Sequence, residues 1–224
     1  MITDLLGKVY NVDCLEFMRG LPDKCVDLVL TDPPYGINYG AQLKGKGDGR
    51  GGAGKNGWKS YDCPEWDTAR PDAEIFRQIL RIGKHAIIWG GNYFADLLPA
   101  SQKWLVWDKG QRDFSLADGE LAWTTYDKAM RIFTYSRGAA LQDGKQHPTQ
   151  KPEALMRWCL DEALGTGNRE QGTGIIFDPF MGSGTTAVAC ESMGLPWFGC
   201  ELEPKYVAIA NKRIEAERAQ LKLF

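Results

Sequence analysis

The sequence predicts an α/β fold, a mostly parallel sheet covered by helices on both sides and carrying one antiparallel hairpin. Three observations lead there. Short apolar runs alternate with helical stretches along the chain. Runs such as Val26-Asp-Leu-Val-Leu-Thr31 and His85-Ala-Ile-Ile-Trp89 are apolar nearly throughout, as strands buried on both faces are. Leu121–Tyr126 and Met130–Tyr135 are separated only by Asp127-Lys-Ala, the spacing of a hairpin. A length of 224 residues suits a single domain over 1–224, and 43% hydrophobic content is ample for its core.

Lys8–Val12 reads as a short first strand, followed by Asp13 and a helical stretch from Cys14 to Arg19 that Gly20 and Pro22 stop. Asp13 has the side chain of a helix N-cap, and it also stands where open α/β sheets place ligands, at the carboxyl end of a strand. Val26–Thr31 is the second strand. Residues 40–60 then hold eight glycines interleaved with Lys44, Lys46, Arg50, Lys55 and Lys59, a composition that builds no core. The stretch reads as a basic flap with an aromatic tip at Trp58, against the alternative of a passive linker.

Pro71–Ile82 is helical, with Ile75, Ile79 and Ile82 on one face and Gly83 as its stop. The strand His85–Trp89 follows, then Gly90-Gly91, a short helix to Leu98, the strand Lys103–Asp108 and the hairpin. Pro152 suits the first turn of a helix running to about Leu164. Ile175–Phe177, a helix to Met193, Pro196–Cys200 and a helix from Pro204 complete the alternation.

The formal net charge of −2 conceals segregation: 40–60 and 128–151 are basic, whereas 61–75 is acidic. Such patches permit phosphate contact. The six cysteines are scattered without a C-x-x-C pair, which excludes a zinc ribbon or a disulfide framework and suits reduced thiols. No apolar run approaches a membrane span and the first residues lack a signal-peptide pattern, so a cytoplasmic location is expected.

Two motifs carry chemistry. The second strand ends in Asp32-Pro33-Pro34-Tyr35, where two prolines forbid further sheet pairing and leave a carboxylate and a ring with little freedom. That pair suits a flat polar ring such as a nucleobase, although a turn tucking Tyr35 onto the core would look the same. Further on, Asp178-Pro-Phe-Met-Gly182-Ser-Gly184-Thr-Thr-Ala187 joins a strand to a helix and fits G-x-G-x-x-A. Glu201 follows Gly182 by 19 residues at the end of the next strand. Strand, glycines, helix, second strand and acid in register predict a nucleoside-cofactor site, with Glu201 on the ribose. A nicotinamide dinucleotide would need several more strands than the 46 residues after Asp178 allow. Asp178 itself would repel a pyrophosphate and suits a cationic ligand such as S-adenosylmethionine (SAM).

Together these residues resemble the amino-group DNA methyltransferases, which act on exocyclic nitrogens. Asp32-Pro-Pro-Tyr35 matches their catalytic motif and Asp178-Pro-Phe-x-Gly-Ser-Gly-Thr-Thr186 their SAM loop. The first precedes the second by 146 residues, the order of the permuted β group. His147-Pro-Thr-Gln-Lys-Pro152 and Cys200-Glu-Leu-Glu-Pro-Lys-Tyr206 match as well. The resemblance implies a Rossmann-like sheet of seven strands and SAM as cofactor, with no metal. It further implies methylation of a flipped-out base in double-stranded DNA, as in restriction–modification, by a monomer or homodimer.

By the same resemblance, Asp178, Phe180, Gly182, Gly184 and Thr185 line the methionine and loop side, and Asp13 approaches the adenine end. Thr149 and Lys151 meet the cofactor's carboxylate or shape the helix start. Asp32 and the Pro33 carbonyl accept the amine hydrogens, Pro34 stiffens the stub and Tyr35 stacks the base. Asp rather than Ser at position 32 favours adenine N6 over cytosine N4. An RNA methyltransferase and a catalytically silent DNA-binding module are the remaining alternatives. The sizeable target-recognition region of many β-group enzymes is missing between the hairpin and His147, so DNA contact is assigned to 40–60, with 109–118 and 137–146.

Overall fold

Val26–Thr31 (β2) is a central strand because four of its six side chains are apolar: Val26, Leu28, Val29 and Leu30 are fully buried. The computed structural model describes residues 1–38, 67–112, 117–136, 138–139, 150–165 and 174–221. Besides β2, its strands are β1 (Val9–Tyr10), β3 (Gly83–Trp89), β4 (Trp104–Asp108), β5 (Gly119–Thr124), β6 (Arg131–Thr134), β7 (Ile176–Asp178) and β8 (Trp197–Cys200). They form one sheet in the order β1-β8-β7-β2-β3-β5-β4-β6.

Every pairing from β1 to β3 is parallel. β5 runs antiparallel to both β3 and β4, while β6 lies parallel to β4, so β5 alone is reversed. The helices are α1 (Cys14–Arg19), α2 (Ala73–Ile82), α3 (Glu153–Leu164), α4 (Thr185–Ser192) and α5 (Pro204–Leu221). Leu28 and Leu30 of β2 point into one core with Leu155, Cys159, Val188 and Ile214 of α3, α4 and α5. Val29 points into the other with Met18 of α1 and Phe76 and Ile79 of α2. The sheet is thus sandwiched between helices, as its apolar strands require.

Three expectations change. Among the described residues the sheet has eight strands rather than seven, the two-residue β1 pairing with β8 at its edge. The hairpin is β4–β5, not 121–135: Leu105 pairs with Ala122 and Asp108 with Gly119, and β6 crosses to the far side of β4. Burial explains the difference. Ala122, Trp123 and Thr124 are buried and need a neighbour on each side, whereas Ile132 of β6 is exposed and tolerates the sheet edge. The short helix expected to reach Leu98 is a single 3-10 turn, Gly91–Tyr93.

This topology brings the carboxyl ends of β1, β8, β7, β2 and β3 to one edge. The reversed strand adds its first residues there, Gly119 and Glu120.

Candidate active site

β7 delivers Asp178 to that edge, where the residue is only 3% exposed. Its Oδ1 accepts from Thr31 Oγ1 at 2.7 Å and from the Phe180 amide at 3.0 Å, and its Oδ2 from Thr186 Oγ1 at 2.6 Å. Burial raises the carboxyl to about 6; the three donors oppose the rise and the nearby Asp32 charge adds to it. Gly184 takes φ 83°, and a Cβ there would lie 2.9 Å from that of Ala210 on α5, so only glycine lets α5 pack this close. Arg213 of α5 donates to the Ser183 carbonyl at 2.6 Å and to Thr185 Oγ1 at 3.1 Å, which fixes the loop from behind.

β8 leads into Glu201. Its Oε2 accepts from the Gly182 amide at 2.7 Å and its Oε1 from the Glu203 amide at 2.8 Å. Burial raises this carboxyl too, against the amide bonds. Asp13 caps α1, accepting from the amides of Leu15 and Glu16 at 2.9 and 3.0 Å.

Asp32 follows β2 directly. Its Oδ1 accepts from the Tyr35 hydroxyl at 2.6 Å and its Oδ2 from the Lys151 ammonium at 2.6 Å. Burial raises the Asp32 carboxyl, and the Lys151 charge counteracts it. Lys151, 6% exposed, also donates to the Tyr35 hydroxyl at 3.0 Å and stands 3.1 Å from Glu120 Oε2. The Tyr35 ring stacks on Tyr93, centroids 4.7 Å apart at 15°, and meets Phe94 edge-on. Gly90 makes room for it: φ is 72°, and any Cβ at this position would overlap the Tyr35 ring. Asp67 ties the exit of the stub, accepting from the Gly36 amide at 2.8 Å.

A cavity of about 310 Å³ joins the two motifs. Of the sequence-predicted residues, Asp13, Asp32, Pro34, Lys151, Asp178, Phe180, Gly182, Thr185 and Glu201 line it. Pro33, Tyr35 and Gly184 adjoin lining residues in sequence without lining the cavity themselves. Thr149 and the basic residues Lys44, Lys46, Arg50, Lys55 and Lys59 lie outside the described residues, as does most of 137–146. Among the described residues, no cluster of three or more His, Cys, Asp or Glu is placed to hold a metal ion.

Sequence reasoning missed Glu120, Lys109, Tyr93 and Arg213. Glu120 escaped because its position depends on the direction of β5, which the misplaced hairpin concealed. Arg213 sits on a helix whose charged face reads as solvated. Tyr93 carried a local signal, an aromatic two residues beyond Gly90-Gly91.

The wall fits a cationic nucleoside. Asp178 is a buried carboxylate satisfied by neutral donors alone, and the glycine loop brings backbone within reach of a ligand. Comparison with known proteins agrees. The family profile N6_N4_Mtase, described as DNA methylase, matches residues 88–212. Type II methyltransferase M2.DpnII of Streptococcus pneumoniae is 26% identical over 253 aligned residues, covering 92% of this chain and 88% of that protein. M.HinfI of Haemophilus influenzae is 25% identical over 261 residues, covering 95% and 69%. Among solved structures, the M1.HpyAVI–SAM complex superposes with a TM-score of 0.56 at 22% identity, covering 92% of this chain and 98% of that one. PvuII DNA methyltransferase (cytosine-N4-specific) gives 0.55 at 15% identity, covering 93% and 89%. At such identities the solved structures speak for the fold.

Proposed function

The chain belongs to the N6_N4_Mtase family of DNA methylases, and from that premise we propose that its acceptor is the N6 amine of an adenine flipped out of double-stranded DNA. The protein is a SAM-dependent DNA methyltransferase. The observation that carries the acceptor reading is Asp32, a carboxylate fixed by Tyr35 and Lys151 in the wall of the cavity that Asp178 and the glycine loop also line.

SAM supplies an electrophilic methyl group on a sulfonium. Asp178, Phe180, Gly182 and Thr185 would hold its methionine side, Glu201 its ribose and Asp13 its adenine end. The protein's own task is to make a poor nucleophile react, because the lone pair of an aromatic amine is delocalised into its ring. Each oxygen of Asp32 has one donor and keeps a second lone pair. Asp32 and the Pro33 carbonyl can therefore accept the two amine hydrogens, turning the nitrogen pyramidal and aiming its lone pair at the methyl. As the N–C bond forms, the methyl group would part from the sulfonium sulfur, which leaves as a neutral thioether, and the nitrogen would give up one proton, toward Asp32 or solvent.

A target inside a duplex must leave the stack to reach this wall. Tyr35 offers it a stacking surface worth about 1–3 kcal/mol. That ring is covered by Tyr93, which is 37% exposed, so a base that stacks on this face of Tyr35 has to take the place of Tyr93. The basic residues of 40–60 supply phosphate contacts in this reading. Among the described residues no helix is long and apolar enough to cross a membrane. We assign the protein to the cytoplasm, beside its DNA, as a monomer or homodimer.

Cytosine N4 is the second reading, since the family spans both amines and one similar fold acts on cytosine. Mass spectrometry of nucleosides from treated duplex DNA decides between them. N6-methyladenine is the expected product, and N4-methylcytosine alone overturns the assignment.

A further inference from the structure

Beyond the two motifs, four charged side chains form a row of alternating sign. Lys109 stands 2.7 Å from Glu120 Oε1, Glu120 Oε2 stands 3.1 Å from Lys151, and Lys151 stands 2.6 Å from Asp32. The four come from four places: the exit of β4, the start of β5, the entry to α3 and the exit of β2. Only a reversed β5 can bring its opening residue to the edge where parallel strands end. Neither Lys109 nor Glu120 lines the cavity, so neither is placed to touch the cofactor.

The row answers a physical problem. A buried lysine–carboxylate pair can discharge itself by passing the proton across, since burial favours two neutral groups. A protonated Asp32 would then donate where the reaction needs an acceptor. Lys151 donates to Asp32 Oδ2 and to the Tyr35 hydroxyl, and Glu120 Oε2 stands 3.1 Å away as an ion-pair partner without a hydrogen bond of its own. The other groups around the pair are the Trp89 ring at 5.8 Å, the Cys159 thiol on α3 and Asp178 beyond Asp32. None of them supplies a second negative charge next to the ammonium. Glu120 does, with Lys109 paired to its other oxygen.

We propose that Glu120, held by Lys109, is a positioning residue that keeps the proton on Lys151 and the oxygens of Asp32 free to accept throughout methyl transfer. This rests on the reading of Asp32 as the acceptor for the target amine. Burial alone would raise the Glu120 carboxyl, but Lys151 and Lys109 bring it down to about 2, so it stays charged across the working range.

The test is the pH profile of methyl transfer to duplex DNA at saturating SAM, for the wild type and four variants. Glu120→Gln should bind SAM within about twofold of wild type and lose roughly tenfold or more in kcat. Its alkaline limb should fall by about one pH unit or more, because Lys151 has lost the charge that retains its proton. Glu120→Asp should restore the wild-type limb and most of the rate. Lys109→Met removes a positive charge instead and should not move the limb downward. A merely structural role would move the limb in neither variant, or in both alike, and either result overturns the proposal. Should Glu120→Gln fail to fold, a downward limb in Lys109→Met still overturns it. Asp32→Ala separates the two levels: if it still methylates, the acceptor reading itself fails. If it is dead while Glu120→Gln keeps the wild-type profile, only the role of Glu120 fails.

Discussion

Replacing Asp178 with Asn should stabilise the ligand-free protein and cripple its hold on SAM, and the stabilisation should depend on pH in a defined direction. Burial raises the Asp178 carboxyl from 3.8 to about 6, its hydrogen bonds only partly offsetting the cost. At 1.36 kcal/mol per unit, that rise corresponds to about 3 kcal/mol of folding free energy. The folded value lies above the unfolded one, so the native state binds the proton more tightly. The carboxyl costs nothing below about pH 4, and the penalty grows as pH rises through about 6. Asn keeps the oxygen that accepts from Phe180, and its amide can donate to the rotatable Thr186 hydroxyl.

Denaturant unfolding of both proteins between pH 4 and 8 measures the difference, in which other titrating groups cancel. The variant should match wild type near pH 4 and exceed it by roughly 1–3 kcal/mol above pH 7, while its SAM affinity at pH 8 falls about tenfold or more. A difference that is flat with pH, or a variant that binds SAM normally, refutes the picture of Asp178 as a carboxylate awaiting a cation.

Further outcomes follow from the same geometry. Asp32→Ala should abolish tritium transfer from labelled SAM to duplex DNA, a loss of about a thousandfold or more, with SAM affinity changed only a few-fold. Gly90→Ala places a methyl group inside the Tyr35 ring and forces a residue with a side chain to φ 72°, so it should cost about 100-fold in kcat with the fold and SAM binding retained; normal kcat would show that the placement of Tyr35 is irrelevant. Deleting 44–57 should weaken DNA binding, read by gel shift, far more than SAM binding, whereas equal loss of both would remove the flap from the DNA interface.

The central strands are legible in the sequence because burial on both faces writes itself as continuous apolar runs, and the eight strands among the described residues lie within a few residues of the stretches that predict them. Their neighbours were legible only where connection rules apply. Asp127-Lys-Ala is short enough for a hairpin, and local spacing alone therefore paired β5 with β6. What decides the matter is that Ala122-Trp-Thr124 must be covered on both sides, a demand that only β3 and β4 together meet. The site shows the same division. Asp32, Asp178, the glycines and Glu201 announce themselves because their motifs are local. Glu120 and Lys109 do not, because their proximity to Lys151 and Asp32 arises from sheet order. Lys151 was visible as a residue, yet its ion pair with Asp32, 119 positions away, was not.

Two carboxylates in one cavity are treated in opposite ways, and the difference matches two tasks. Asp178 receives hydroxyl and amide donors but no positive charge, so its ionised form is costly until a cation arrives; SAM carries that cation. Asp32 receives a full ammonium at 2.6 Å, which counteracts the rise that burial imposes, and in the proposed reading it takes the hydrogens of a neutral acceptor. Exchanging the arrangements would defeat both. A lysine on Asp178 would compete with the cofactor, and an unpaired Asp32 would rise until it held a proton of its own. The second carboxylate at Glu120 extends this logic: a single ammonium shared between two acids is harder to neutralise than one held by Asp32 alone. The reversed strand β5, an irregularity when the sheet is considered by itself, is what brings that second acid to the edge where the chemistry happens.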